Sequence, residues 1–208
     1  MRVLVACEFS GVVREAFCRR GHDAWSCDLR DTEIPGQHIK GHIGNVLGRD
    51  RNWDLVIAHP PCTYLCNSGV RWLFKGGRGN VVDDERWGRM VEAAYFFCFF
   101  RDLNLPRVCI ENPIQHKYAR RIIKTPYTQI VQPWQFGHGE TKATCLWLKN
   151  LPPLKPTNVV NGRDGRIWKM PPGPERERER SKTYAGIAEA MAAQWGSLAS
   201  SRSGMERD

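Results

Sequence analysis

The chain has 208 residues, of which 41% are hydrophobic and 25% charged, a composition typical of one soluble globular domain. Its 31 Lys and Arg against 22 Asp and Glu give a formal net charge of +9. This surplus favours a nucleic acid as partner, because cationic side chains displace the counterions condensed on phosphates. The first apolar run is short and ends at Glu8, unlike a secretory signal, and no run is long enough to span a bilayer. We therefore expect a cytoplasmic protein with no membrane partner.

The eight cysteines indicate reduced thiols rather than disulfides or a metal centre. None forms a Cys-x-x-Cys pair, and most lie in apolar runs, where a free cysteine acts as a small buried hydrophobe. Cys62 and Cys66 lie near His59, but no second ligand pair follows at zinc-finger spacing. We expect no metal.

The elements predicted in chain order alternate between short apolar strands and amphipathic helices. The pattern predicts strands at 2–7, 23–28, 53–58, 107–110, 128–132 and 144–148, and helices at 12–20, 83–103 and 184–195. Such alternation is typical of a doubly wound, mostly parallel α/β sheet.

Composition also marks the connections between these elements. The stretch 71–80 predicts a mobile, glycine-containing loop, and 152–180 is rich in Pro, Gly and charge. The alternating Glu and Arg of 175–180 favour a solvated turn or helix start rather than a binding patch. We expect one catalytic domain over 1–196 and a disordered polar tail over 197–208.

Several chemically capable residues fall at or just past the predicted strand ends: Phe9, Ser10, Gly11, Asp28, Cys62 and Glu111. In doubly wound sheets the ligand lies beyond the carboxyl ends of the strands, so one crevice is expected to gather these residues. Taken singly each has an ordinary explanation. A Ser-Gly pair forms tight turns, Asp28 serves equally as a helix cap or a ribose ligand, and paired prolines stiffen loops.

Together these motifs resemble those of the cytosine-5 DNA methyltransferase family. Phe9-Ser10-Gly11 with the later Ala16-Phe17 and Gly21-His22 is similar to the motif that wraps the methionine part of S-adenosylmethionine. Pro60-Pro61-Cys62 is similar to the catalytic loop, Glu111-Asn112 to the catalytic Glu-Asn pair, and residues 184–191 to the closing helix. The resemblance implies a Rossmann-like methyltransferase fold with S-adenosylmethionine as cofactor. It implies catalytic roles for Cys62, Glu111, Asn112 and Lys142, and cofactor contacts by Phe9, Ser10, Gly11, Asp28, Asn45 and Pro60.

The chemistry of the family explains why these residue types are needed. Carbon 5 of cytosine is a poor nucleophile until a thiolate adds to carbon 6, and Cys62 suits that role better than its neighbour Cys66 because it alone follows the two prolines. Glu111, protonated or sharing a proton, would donate to ring N3. The sequence does not identify the base that removes the carbon-5 proton. The target base is expected to be flipped out or single-stranded.

The chain departs from the family pattern at several positions. Val13 stands where glycine is common, and Asn45 stands where an acidic residue contacts adenine. Gln132 is present without the arginines of the family's Gln-Arg-Arg pattern, with Lys142 and Thr144 as the nearest polar replacements.

The largest departure is that 150–180 leaves no room for a target-recognition domain. We therefore expect little sequence readout, a single-stranded or structured substrate, or recognition by a partner. The loop 71–78 and the pair Arg120-Arg121 are candidates for holding phosphates.

Two alternatives stay open. The same chemistry on RNA or on a free pyrimidine nucleotide is one, and a catalytically silent nucleic-acid-binding module is the other. The short form resembles methyltransferases carried by phages or mobile elements.

Overall fold

The structure, a computed structural model, describes residues 1–50, 52–77 and 81–198. Within them one sheet has the strand order β3-β2-β1-β4-β5-β7-β6. The strands are β1 (Arg2–Ala6), β2 (Asp23–Asp28), β3 (His38–Lys40), β4 (Leu55–Ala58), β5 (Val108–Pro113), β6 (Gln129–Val131) and β7 (Thr144–Lys149). Strands β1 to β5 pair in parallel, and β7 is antiparallel to both of its neighbours. The predicted mostly parallel, doubly wound, Rossmann-like sheet is confirmed.

The helices of the described residues are α1 (Val12–Cys18), α2 (Ile43–Arg49), α3 (Asp84–Arg101), α4 (Lys117–Ile123), α5 (Arg166–Lys169), α6 (Pro174–Ser181) and α7 (Ala185–Gly196). None of them has both the length and the apolar character that a bilayer crossing requires. Short 3-10 helices cover Asn67–Leu73, Lys75–Gly77 and Pro133–Gln135.

Both faces of the sheet are covered, which explains the continuous apolar strands. Val3 and Val5 of β1 belong to a core with residues of α1 and α7. Leu4 and Ala6 of the same strand belong to a second core with residues of α2, α3 and α4. A strand buried on both faces has no position for alternating polar residues.

The chain reverses its winding direction between β1 and β4. From β1 it runs outward through β2 to β3, and from β4 it runs the other way to β5. Such a switch point leaves a crevice at the carboxyl ends of the two central strands, where doubly wound proteins bind their ligands.

One expectation about the connections needs correction. The predicted loop 71–80 is helical from Lys75 to Gly77 and lies partly in the 3-10 helix Asn67–Leu73, while 78–80 fall outside the described residues. The charged run 175–180 lies in α6, in agreement with the predicted helix start, and three of its residues line the cleft described below: Arg176, Glu177 and Arg180. The tail expected over 197–208 lies outside the described residues from 199 onward and stays a prediction.

Candidate active site

A cleft of about 640 Å³ lies at the switch point. Phe9 follows β1, Asp28 ends β2, and His59 and Cys62 follow β4, and all four line it. Three of the residues predicted from strand ends therefore share one cavity. Residues of α6 form another part of its lining.

The turn that carries Cys62 is fixed from both sides. The Asn112 side-chain amide on β5 donates to the Pro60 carbonyl at 2.8 Å, which ties the loop after β4 to the neighbouring strand. The Cys62 carbonyl accepts the backbone N–H groups of Leu65 and Cys66 at 3.0 and 3.1 Å, which makes one helical turn. The Asn112–Pro60 bond therefore helps to hold this loop in place, and neither residue lines the cleft.

The turn brings two thiols together. Cys62 is partly exposed in the cleft and hydrogen-bonds to the buried Cys66. This bond lowers the pKa of Cys66 to about 4 despite burial, helped by Ser68 and Arg180, whose polar atoms lie 3.0 and 3.7 Å from the sulfur. The same bond and burial raise the pKa of Cys62. The two thiols are therefore coupled, with the lower pKa on Cys66 and the higher pKa on Cys62.

Glu111 on β5 is paired with two side chains that sequence reasoning did not assign. His59 Nδ1 lies 3.1 Å from its Oε2, and the Thr183 hydroxyl donates to the same oxygen at 3.0 Å. Burial alone would raise the pKa of this carboxyl. The charge and hydrogen bond of His59, the charge of Lys142 and the Thr183 hydroxyl lower it to about 2.

His59 stands between two buried carboxylates. Burial would lower its pKa, but the charge and hydrogen bond of Glu111 and the charge of Glu8 raise it overall. Its Nε2 is buried and has no hydrogen-bond partner in the part of the chain that is described. Glu111 and His59 therefore share one proton, which resides mainly on the imidazole.

The carboxylate of Glu8 binds the backbone N–H groups at the start of α1, where the resemblance implies the methionine part of the cofactor. This carboxylate accepts the Val13 N–H at 2.7 Å, the Arg14 N–H at 3.3 Å and the Ser10 hydroxyl at 3.3 Å. Burial raises the pKa of Glu8, although the hydrogen bonds from Val13 and Arg14 partly oppose that shift. The first amides of α1 are thus already satisfied, and neither Ser10 nor Gly11 lines the cleft.

The charge of Lys142 acts on Glu111 and Cys62, although Lys142 does not line the cleft. Its ammonium group donates to the Lys182 carbonyl at 2.7 Å, and its backbone N–H donates to the Gln132 side chain at 3.0 Å. Burial lowers the pKa of Lys142, and the charges of Glu111 and Cys62 oppose that shift. Lys142 thus adds positive charge near the two reactive groups.

Two residues that line the cleft, Phe9 and Asp28, are of types that suit a nucleoside ligand. Asp28 accepts the Arg30 N–H with Oδ1 at 2.9 Å, and the Arg30 guanidinium lies 5.0 Å from the centre of the Phe9 ring. A carboxylate suits ribose hydroxyls, and an aromatic ring suits an apolar ligand face. These residues fit S-adenosylmethionine. Asn45, expected to contact adenine, lies instead beside a second, shallower depression.

The residues missed by sequence reasoning are Glu8, His59, Thr183, Arg176 and Arg180. Two signals existed, because Glu8 and His59 each lie within two residues of the end of a buried strand. No local pattern marks Thr183 or the two arginines, which reach the site from the segment between β7 and α7.

Solved structures similar to the chain include two methyltransferases. EhMeth of Entamoeba histolytica is 16% identical with a TM-score of 0.46, over 77% of this chain and 57% of that one. Dnmt2 of S. pombe is 15% identical with a TM-score of 0.41, over 81% and 54% respectively. The chain thus spans little more than half the length of either structure. No family model matches the sequence, and no curated protein matches it significantly. Likenesses this distant carry no information on activity or substrate.

Proposed function

We propose that the chain is an S-adenosylmethionine-dependent methyltransferase that modifies carbon 5 of cytosine in DNA through a covalent adduct with Cys62. The observation that carries this proposal is the placement of Cys62 in the same cleft as Phe9 and Asp28. The Glu111–His59 pair adjoins this cleft, because His59 also lines it. A nucleophile, a proton source and a nucleoside-sized site are thus contiguous.

Phe9 and Asp28 are the residues expected to hold the cofactor, Phe9 by ring contact and Asp28 at the ribose hydroxyls. When bound, S-adenosylmethionine supplies an electrophilic methyl group. The chain's own residues then orient the target base, exclude water and transfer protons.

The proton flow follows from the two pairs of groups. As Cys62 attacks carbon 6, its proton passes to the hydrogen-bonded Cys66 thiolate. The charge that develops on the ring is relieved at N3 by the proton that Glu111 shares with His59. Lys142 stabilises the negative charge of Glu111 once that proton has left.

The formal charge of +9 supports a nucleic-acid substrate, and the interval 150–180 folds as the short helices α5 and α6 rather than as a recognition domain. We therefore propose little sequence specificity, or specificity supplied by a partner. RNA and free pyrimidine nucleotides are the alternative substrates of the same chemistry.

Labelled methyl transfer to duplex DNA, single-stranded DNA, RNA and dCMP in parallel tests the proposal. We expect label in DNA, and a loss of about a thousandfold or more in Cys62→Ser, because a hydroxyl is a far weaker nucleophile than a thiol. Cys18→Ser is the control, since Cys18 lies outside the cleft. Full activity in Cys62→Ser, or label in none of the substrates, would contradict the proposal.

A further inference from the structure

Helix α6 lies against the cleft and carries alternating Glu and Arg residues. On a helix, positions four apart share a face, so Arg176 and Arg180 point the same way. Both line the cleft together with Cys62, and both come from the interval that is too short for a recognition domain.

Arg178 and Glu179 of α6 fix the helix in place, whereas its Glu177 also lines the cleft. Arg178 Nε lies 2.5 Å from Glu33 Oε1, and Lys182 just after the helix lies 2.9 Å from Glu33 Oε2. Glu179 pairs with Lys182 at 3.3 Å and with Arg166 of α5 at 3.5 Å. These ion pairs hold α6 against the connection between β2 and β3 and against α5.

The two arginines that face the cleft have no such carboxylate partners. Arg176 forms no ion pair or hydrogen bond with any described residue, and its Nε is buried. Among the described residues, Arg180 reaches the Ser68 hydroxyl at 3.4 Å and the Cys66 sulfur at 3.7 Å, and no carboxylate. Because the buried Nε of Arg176 has no partner, which costs free energy, the two guanidinium groups in this cleft indicate an anionic ligand.

We propose that α6 is the nucleotide-binding element of this protein, and that Arg176 and Arg180 bind the phosphate of the nucleotide whose base lies at Cys62. This inference rests on the proposed function for the identity of the base. Guanidinium groups match the oxygens of a phosphate in pairs, and Arg180 already lies beside the reactive thiols. A short helix thereby holds the substrate by its backbone, which requires no reading of sequence.

Binding of a fluorescein-labelled 12-nucleotide single strand with one cytosine, followed by anisotropy at several NaCl concentrations without cofactor, tests the proposal. Arg176→Gln and Arg180→Gln are each expected to weaken binding about tenfold. Each is also expected to reduce the slope of log affinity against log salt by about 0.7, the value for one phosphate contact on a single strand.

Arg49→Gln is the control, because it removes the same charge from an exposed residue of α2 outside the cleft. It is expected to leave affinity nearly unchanged. Arg176→Lys, which keeps the charge, should recover part of the affinity, and thermal unfolding of each variant checks that it is folded. Equal weakening by Arg49→Gln, or wild-type binding by both cleft variants, would overturn the proposal.

Competition with dCMP and deoxycytidine distinguishes two sources of phosphate. If dCMP competes better than deoxycytidine with the wild type, and this difference disappears in the cleft variants, a free monophosphate is sufficient for binding. Equal competition by both compounds, with strand binding still dependent on the arginines, identifies the phosphodiester. Both outcomes support a phosphate site.

The carboxylate of the cofactor is the rival anion. If the cleft variants lose affinity for S-adenosylhomocysteine in calorimetry and keep affinity for the strand, the proposal is wrong. None of these binding measurements requires methyl transfer. An inactive wild-type protein with the expected binding pattern would therefore refute the methyltransferase proposal and leave the phosphate site standing.

Discussion

At the scale of single residues, the site depends on where two protons are held. Glu111 with a pKa of about 2 is ionised at neutral pH and has no proton of its own to give. His59, 3.1 Å away and with a raised pKa, holds that proton instead. The pair can protonate a bound ring only while His59 is charged, so the rate should fall as the pH rises through the pKa of His59.

His59→Gln should move this alkaline limb to lower pH. Without the imidazole, Glu111 must carry the proton itself, and the charge of Lys142 still favours its ionised form. The pH profile of covalent adduct formation on a 5-fluorocytosine oligonucleotide measures the effect. His38→Gln serves as control, because His38 lies on β3 outside the cleft. An unshifted limb in His59→Gln would show that His59 does not hold the proton.

The two thiols give a second prediction at this scale. In the native pair, the hydrogen bond lowers the pKa of Cys66 to about 4, so one thiolate is present at acidic pH. In Cys66→Ala the remaining Cys62 loses that partner, and burial keeps its thiol protonated. We expect alkylation by iodoacetamide at pH 5 to 6 in the wild type. In the variant it should appear only toward the ordinary thiol range, about pH 8.5 or above. Mass spectrometry of the peptide with Cys62 and Cys66 measures the alkylation. The same pH dependence in the wild type and in Cys66→Ala would contradict the lowered pKa of Cys66.

At the scale of elements, the buried Arg14 joins α1 to the connection between β2 and β3. Its guanidinium donates to the Ser26 hydroxyl at 3.1 Å, the Thr32 hydroxyl at 3.3 Å and the Ile34 carbonyl at 2.6 Å, and the side chain has no exposed surface. The same connection carries Glu33, the partner of α6. Arg14 therefore supports both the cofactor end of the cleft and the position of α6.

Arg14→Met should lower the free energy of unfolding by roughly 3 kcal/mol, because buried polar groups on the connection lose their donor. Urea unfolding followed by circular dichroism measures this difference. Arg49→Met, at an exposed position on α2, is the control and should change stability by less than about 0.5 kcal/mol. A similar small change in Arg14→Met would indicate that the connection holds its shape without the guanidinium.

The elements with a clear apolar pattern could be predicted from sequence, and several short ones without it could not. β1 and β4 were found because strands buried on both faces are continuous apolar runs, and α3 was found because its apolar residues recur at helical spacing over 18 residues. The missed elements are β3, with three residues, and the helices α2 and α4, with seven each, although α1 and β6 of the same lengths were predicted. These elements are stabilised mainly by packing against the sheet.

The site could be predicted in part for a related reason. Cys62 and Asp28 were found because parallel strands deliver their carboxyl ends to one edge. Thr183 and Arg180 were not, because they reach the site through a connection whose path depends on tertiary contacts. The placement of α6 against the cleft depends on ion pairs with Glu33, about 145 residues earlier in the chain, and no local pattern predicts such a contact.

At the scale of the whole molecule, the residues of the proposed site come from the strands on both sides of the switch point. Phe9 and Asp28 come from the ends of β1 and β2, and Cys62 and the Glu111–His59 pair come from β5 and the end of β4. Helix α6 lines part of the same cleft. The proposed function requires that a cofactor and a target base meet and react in this one crevice.

A single-stranded oligonucleotide with one 5-fluorocytosine, incubated with S-adenosylmethionine and then digested with trypsin, tests this claim most directly. Fluorine cannot leave as a proton does, so the adduct should persist. The account predicts an oligonucleotide that carries the added methyl group and is bound to the peptide with Cys62, and no adduct in Cys62→Ala. Attachment through Cys66 or another residue, or no adduct at all with the wild-type protein, would contradict it.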